Sequence, residues 1–150
     1  MKRLFFTALL AIGLGTTSFA TDENKISIST RQTFNQEYKG AEEVEWSVKQ
    51  DYVKAACTLN GARLFVFYDK SGSKLGSSHY ISLEDLPLSA RRVVAKKYAG
   101  YNITEAIEFN GAEEDSFYLT AENGSEKVIL KIADHSSVSV FKKAKKDMFW

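Results

Sequence analysis

Val53-Lys54-Ala55-Ala56-Cys57-Thr58-Leu59-Asn60-Gly61-Ala62-Arg63-Leu64-Phe65-Val66-Phe67-Tyr68-Asp69-Lys70-Ser71-Gly72 carries the decisive pattern of the chain. Val53, Ala55, Cys57 and Leu59 alternate with Lys54, Ala56 and Thr58, the period of two that gathers apolar side chains on one side of a strand. Asn60-Gly61 follows, the dipeptide best suited to a two-residue hairpin turn. Leu64 to Tyr68 is a second β-rich run, closed by the Asp69-Lys70-Ser71-Gly72 turn. Strands joined this tightly are antiparallel, because a parallel neighbour needs a crossover of about a dozen residues.

Working outward, Phe34, Tyr38 and Ala41 recur at helical spacing behind Ser29 or Thr30 as N-cap, which predicts a helix ending at Gly40. Val44, Trp46 and Val48 alternate with Glu45, Ser47 and Lys49 as a first strand, and Lys74 to Ile81 supplies a fourth. The plan then recurs. Glu84, Asp85 and Pro87 suit a helix start, and Ala90, Val94, Tyr98 and Tyr101 share one helix face. Tyr38-Lys39-Gly40 returns as Tyr98-Ala99-Gly100. Strands are predicted over Ile103 to Phe109, Asp115 to Ala121, Ser125 to Ile132 and Val138 to Lys142. Asn123-Gly124 joins the second and third of these, and Asp134-His135-Ser136-Ser137 falls where Asp69 to Gly72 did. The expected fold is therefore α+β: a tandem αββββ repeat, with half-repeats at about 28–82 and 83–143, and two helices on one face of an antiparallel sheet of about eight strands.

The first 20 residues read as a cleavable signal peptide. Lys2 and Arg3 precede the apolar run Leu4 to Leu14, and Ser18-Phe19-Ala20 offers a cleavage site after Ala20. That leaves residues 21–150 as one predicted domain, periplasmic or secreted, with no membrane insertion after cleavage. A lipoprotein anchor is excluded by the absence of a cysteine near the cleavage site. Cys57 is the only cysteine of the chain, so no intrachain disulfide can form and a hydrophobic core must hold the fold. Of the 20 basic side chains, Lys2 and Arg3 leave with the signal, so 18 remain against 19 acidic ones. This near-neutral balance gives no electrostatic case for nucleic acid. Lys142, Lys143, Lys145 and Lys146 form a local basic run near the C-terminus.

Two helices on one sheet face leave the other face for solvent or a partner. Val128, Leu130 and Ile132 read as inward, and aligning the two Asp-turns makes Phe65 and Phe67 inward as well. The outward set then contains Tyr52, Lys54, Leu64, Val66, Tyr68, Tyr118, Thr120, Ile129 and Lys131. Of these, Tyr52, Lys54, Leu64, Val66, Tyr68, Tyr118, Ile129 and Lys131 are the candidate partner-binding residues, since tyrosine-rich apolar faces are enriched at interfaces. Mutual shielding by β-prone residues accounts for the same pattern, and so does a strand register misread by one residue.

The run Phe34-x-x-x-Tyr38-Lys39-Gly40-Ala41-x-x-Val44-Glu45-Trp46 resembles a known family. So do the Tyr68-Asp69-Lys70-Ser71-Gly72 turn, Asp85-Leu86-Pro87 and Lys97-Tyr98-x-Gly100-Tyr101. Together they resemble the exported PepSY-like, β-lactamase-inhibitor-like bacterial domains, over nearly all of the chain beyond the signal. The resemblance implies a curved sheet, and in the inhibitor that lends the family its name the concave sheet face grips a folded enzyme. That inhibitor carries disulfides, which this sequence cannot form, and its enzyme-plugging loop residues have no counterpart placed here.

Catalytic patterns are not found. His79 and His135 are the only histidines and stand in no metal-binding spacing. Asp134-His135-Ser136 reads as a turn, because neighbours along a chain do not converge on one reacting atom. Glu42-Glu43-Glu45 and Glu113-Glu114-Asp115 read as solvated carboxylates, and Cys57 as a buried small hydrophobe. The expectation is a non-enzymatic module without cofactor or metal, binding an envelope or exterior protein through the open sheet face, inhibition included. The alternative is a small-ligand sensor or carrier, with a pocket between helix and sheet lined by Trp46, Phe67 and Tyr98. The oligomeric state is left open.

Overall fold

The computed structural model describes residues 25–145, so the expected signal peptide and Lys146 lie outside the described residues. One eight-stranded antiparallel sheet runs in chain order, β1 (Glu42–Val48), β2 (Val53–Leu59), β3 (Ala62–Tyr68), β4 (Lys74–Tyr80), β5 (Asn102–Gly111), β6 (Asp115–Glu122), β7 (Glu126–Ala133) and β8 (Ser137–Lys145). Helix α1 (Ile28–Glu37) precedes the first four strands and α2 (Leu88–Lys97) the second four. The tandem αββββ architecture is thus present, with both helices on one face of a curved sheet. Bulges between Glu42 and Glu45, Phe67 and Tyr68, Ile103 and Glu105, and Ile129 and Leu130 bend the strands.

Helix α1 starts earlier than its sequence suggests, because Ser27 caps it: the Thr30 amide donates to Ser27 Oγ at 3.1 Å. Gly40, at φ +85°, turns the chain from α1 toward β1. A 3₁₀ turn (Leu83–Asp85) fills the junction between the halves, with the Asp85 carboxylate accepting from the Ser82 amide and hydroxyl. Pro87 stands immediately before α2, and Ser89 Oγ donates to the His135 carbonyl at 2.7 Å, fixing that helix to the β7–β8 turn.

Each half has its own core beneath its helix. Under α1, Phe34 meets Trp46, Val53, Ala55, Cys57, Val66 and Tyr68. Under α2, Ala90 and Val94 meet Leu119, Ala121, Val128, Leu130 and Ile132. Between them the helix side of β4 and β5 is polar: His79 lies 3.4 Å from Glu108, which also accepts from Asn110 Nδ2. The opposite side reverses this arrangement. There Phe67 and Phe109 meet at 6.2 Å across Gly76, in a third cluster with Tyr52, Tyr118 and Ile129. Gly76 is required by this closeness, since a Cβ would stand 2.6 Å from Phe109 Cζ and 2.7 Å from the Asn110 carbonyl oxygen. Aromatic packing on the uncovered face therefore joins the two helix-capped halves.

Strand β3 faces the other way from expectation. Leu64, Val66 and Tyr68 pack under α1, while Phe65 and Phe67 belong to the uncovered face. Two pairs of look-alike turns account for the slip. Tyr68 pairs with Lys74 across residues 69–73, but Ala133 pairs with Ser137 across the shorter 134–136. Asn60 and Gly61 are the two left-handed turn residues, at φ +50° and +80°. Asn123 instead folds its side chain back, Oδ1 accepting from the Ser125 and Glu126 amides at 2.9 Å, and neither Asn123 nor Gly124 is left-handed. Aligning the halves by these turns shifts β3 by one residue, and a one-residue shift exchanges the two faces.

Candidate functional site

Residues opposite one another in an antiparallel pair point to the same side, so the register assigns the uncovered face strand by strand. One row runs Glu45, Ala56, Phe65, Ser78, Phe109, Ser116. A neighbouring row runs Tyr80, Ile107, Tyr118, Lys131, Ser139. Lys54 pairs with Phe67, and Ile129 with Thr120. Of the candidate residues, Tyr52, Lys54, Tyr118, Ile129 and Lys131 lie on this side; Leu64, Val66 and Tyr68 do not.

No helix residue enters the cluster on this face, yet its floor is sealed by its own side chains. Tyr52, Tyr118 and Ile129 are 7%, 5% and 7% exposed. Edge-to-face contacts do the sealing, Tyr52 on Phe67 at 5.9 Å and Phe141 on Tyr118 at 5.4 Å. Burial pushes the Tyr52 and Tyr118 phenols above their ordinary pKa, so both remain neutral. Mutual shielding, one of the explanations open at the level of sequence, is thus a physical fact of this face.

The accessible contact surface stands above that floor. Tyr80 is 45% exposed and meets half-buried Phe65 edge-to-face at 5.9 Å. Lys54 Nζ lies 5.6 Å and the Arg63 guanidinium 6.0 Å from the Phe65 ring centre, cation–π geometry on a partly dry face. Burial lowers the Lys54 pKa, and the neighbouring charges of Lys49 and Arg63 lower it further against the opposing pull of Glu45. Arg63 is held by Glu45 at 2.8 Å, and Lys131 pairs with Glu114. The arrangement is an aromatic patch with a rim of mixed charge, in which the carboxylates of Glu45 and Glu114 pair with Arg63 and Lys131. Phe65, Tyr80 and Phe141 were missed in the sequence: Phe65 by the β3 slip, and Phe141 because it bulges between the paired positions Val140 and Lys142.

Tyr68 has a different role from the one its position in sequence suggested. It is fully buried beneath α1, 6.2 Å from Trp46, and its hydroxyl has no hydrogen-bond partner among the described residues. Burial drives its pKa far up. Tyr68→Phe removes an unsatisfied polar group and keeps the ring, so unfolding free energy is expected to stay level or rise by up to about 1 kcal/mol in urea melts. A loss of about 2 kcal/mol would show that the hydroxyl is bonded.

The pocket expected from Trp46, Phe67 and Tyr98 does not form. Trp46 lies under α1, Phe67 on the opposite sheet face, and Tyr98 beside α2. A groove of about 480 Å³ exists elsewhere, between α2 and β5, lined by Leu86, Arg91, Val94, Tyr98, Tyr101 and Ile103 among others. Cys57 is fully buried and its thiol pKa is raised by burial, the opposite of a reactive thiolate. Among the described residues no group of three or more His, Cys, Asp or Glu could hold a metal ion, and no helix is long and apolar enough to cross a membrane.

No protein-family model and no curated protein matches the sequence. Solved structures do match. A DUF2874 family protein from Bacteroides uniformis superposes with a TM-score of 0.72 at 12% identity, covering 83% of this chain and 93% of that one. A BLIP-like protein from Bacteroides fragilis gives 0.67 at 18% identity, over 86% and 97% of the two chains. A Bacteroides eggerthii protein described as periplasmic gives 0.70 at 13% identity, over 79% and 88%. At such identities the shared property is the fold, the one that the motif resemblance implied.

Proposed function

We propose that this chain is an exported, non-enzymatic protein-binding module that docks a folded partner on its uncovered sheet face. The carrying observation is the pair Phe65 and Tyr80 on that face, with Lys54 and Arg63 against the Phe65 ring, left open by both helices. Tyr52, Tyr118 and Ile129 form the preorganised floor of this site. Its ordering cost is already met by the fold, which favours association. The leader-like first 20 residues and the periplasmic description of one structural relative support an exported setting.

The test is affinity capture from the envelope fraction with the natural domain and two variants. Phe65→Ala and Tyr80→Ala should each weaken the captured complex by about 1–2 kcal/mol, measured by calorimetry on the recovered partner. The melting point should move little in Tyr80→Ala and fall modestly in Phe65→Ala, whose half-buried ring packs on the cluster. A partner bound equally by both variants excludes this face. The BLIP-like relative invites a direct assay, in which β-lactam hydrolysis by β-lactamases is expected to be unaffected, because only the fold is shared. A second reading, small-ligand carriage, is favoured by the groove of about 480 Å³ beside α2. A rise in melting temperature with envelope lipids or metabolites, without any protein partner, would support it.

A further inference from the structure

The two charge runs that stand out in the sequence become the two outer edges of the sheet. Strand order places β1 and β8 at opposite ends, each with one side unpaired by another strand. Strand β1 begins Glu42-Glu43-Val44-Glu45 and β8 ends Lys142-Lys143-Ala144-Lys145. Part of each set is used internally: Glu45 holds Arg63, Glu43 accepts from Thr58 Oγ1, and Lys143 holds Glu126 at 2.7 Å. Glu42, Lys142 and Lys145 have no ion-pair partner among the described residues. Each edge also exposes a valine, Val44 at 37% and Val140 at 51%.

Direction matters as much as charge. All neighbouring strands are antiparallel, so β1 and β8 run oppositely, and the start of β1 lies at the same end of the sheet as the end of β8. A second copy in the same orientation, set beside the first, brings its β1 antiparallel to β8. The acidic end then meets the basic end, as in one more hairpin of the meander. Two-fold pairing of β1 with β1, or β8 with β8, brings no such opposite charges together. The bulge between Glu42 and Glu45, with Glu43 at φ +51°, limits the regular edge of β1 to its later residues. The contact is consequently short and reversible.

We infer that a second copy of this chain is the partner of these edges, joined head to tail from β8 to β1. Such an interface is heterologous, so it adds copies openly instead of stopping at a dimer. It uses neither the aromatic patch nor the α2 groove, and it stands or falls separately from the docking function proposed above.

Sedimentation velocity on the natural domain tests it, from about 10 μM to about 1 mM protein, in about 20 mM and about 500 mM NaCl. At low salt the average mass should climb with concentration without levelling at two copies, and high salt should return it to the monomer. Glu42→Lys/Glu43→Lys and Lys142→Glu/Lys145→Glu leave the pairs Glu45–Arg63 and Lys143–Glu126 intact. Each double variant alone should associate at least tenfold more weakly, while their equimolar mixture regains association because opposite edges again face one another. Circular dichroism melts check that both variants fold. A monomer throughout the low-salt series overturns the inference, as does association that neither double variant weakens or a mixture that stays monomeric.

Discussion

Phe67→Ala is expected to destabilise the protein by about 3–5 kcal/mol, the range for removing a fully buried aromatic ring from a packed core. Phe67 is fully buried although no helix covers it. Its neighbours come from both halves: Tyr52 at 5.9 Å beside β2, and Phe109 at 6.2 Å on β5. The cores under α1 and α2 are separate, and on the helix side polar His79 and Glu108 lie between them. Phe67 therefore contributes to cooperativity as well as stability. In urea, the variant in a Trp150→Phe background should show a lower midpoint and a broadened transition, with Trp46 in the first half reporting unfolding before amide exchange in β6 and β7 does. A cost below about 1.5 kcal/mol, with coincident probes, would mean that the halves are coupled by other contacts.

The same residue shows where sequence reading worked and where it ended. Alternation, helical spacing and the recurrence of Tyr38-Lys39-Gly40 as Tyr98-Ala99-Gly100 were enough for the element order, because each is a local signal and all agree. The faces of β3 were not legible, because Leu64-Phe65-Val66-Phe67-Tyr68 is apolar at every position and has no intrinsic inside. Its assignment was borrowed from β7 through turns that look alike in letters and differ in geometry. Tyr52, Lys54, Tyr118, Ile129 and Lys131 were not subject to that borrowed register, and they share the uncovered face. Their burial could not be read either, since the rings of Tyr52 and Tyr118 are sealed by Phe67 and Phe141 from distant strands.

Site and fold are consequently less separable here than in a protein whose binding face lies outside its core. The uncovered face carries a buried layer that holds the halves together and an outer layer, half-buried Phe65 and exposed Tyr80 with Lys54 and Arg63, that the proposed partner would cover. Variants in the first layer test folding, and variants in the second test binding. Tyr118→Ala, a natural choice from sequence, mixes the two: Tyr118 is 5% exposed and supports Phe141. A loss of partner binding in that variant would not locate the interface, whereas one in Tyr80→Ala would.

Phe34→Ala is expected to cost about 3–5 kcal/mol as well, but through a different failure. Among the residues of α1 only Thr30 and Phe34 are buried, so this ten-residue helix is held to the sheet mainly by one ring. Phe34 is 1% exposed and packs edge-on against Trp46 at 5.2 Å, with Tyr38 at 5.1 Å. The exposed Lys74–Glu37 pair, at 2.7 Å, adds little to docking. A helix of this length is marginal in water without tertiary contacts, so removing Phe34 should undock and unwind α1 while the sheet persists. Amide protection should disappear over α1 before it weakens in β2 and β3. In a Trp150→Phe background, where Trp46 is the remaining tryptophan, emission should shift to the red as water reaches the indole. Phe34→Leu, which keeps most of the volume, should recover more than half of the loss. Protection over α1 that survives Phe34→Ala would show that the helix is held by more than this ring, and the division of the molecule into two helix-capped cores would have to be redrawn.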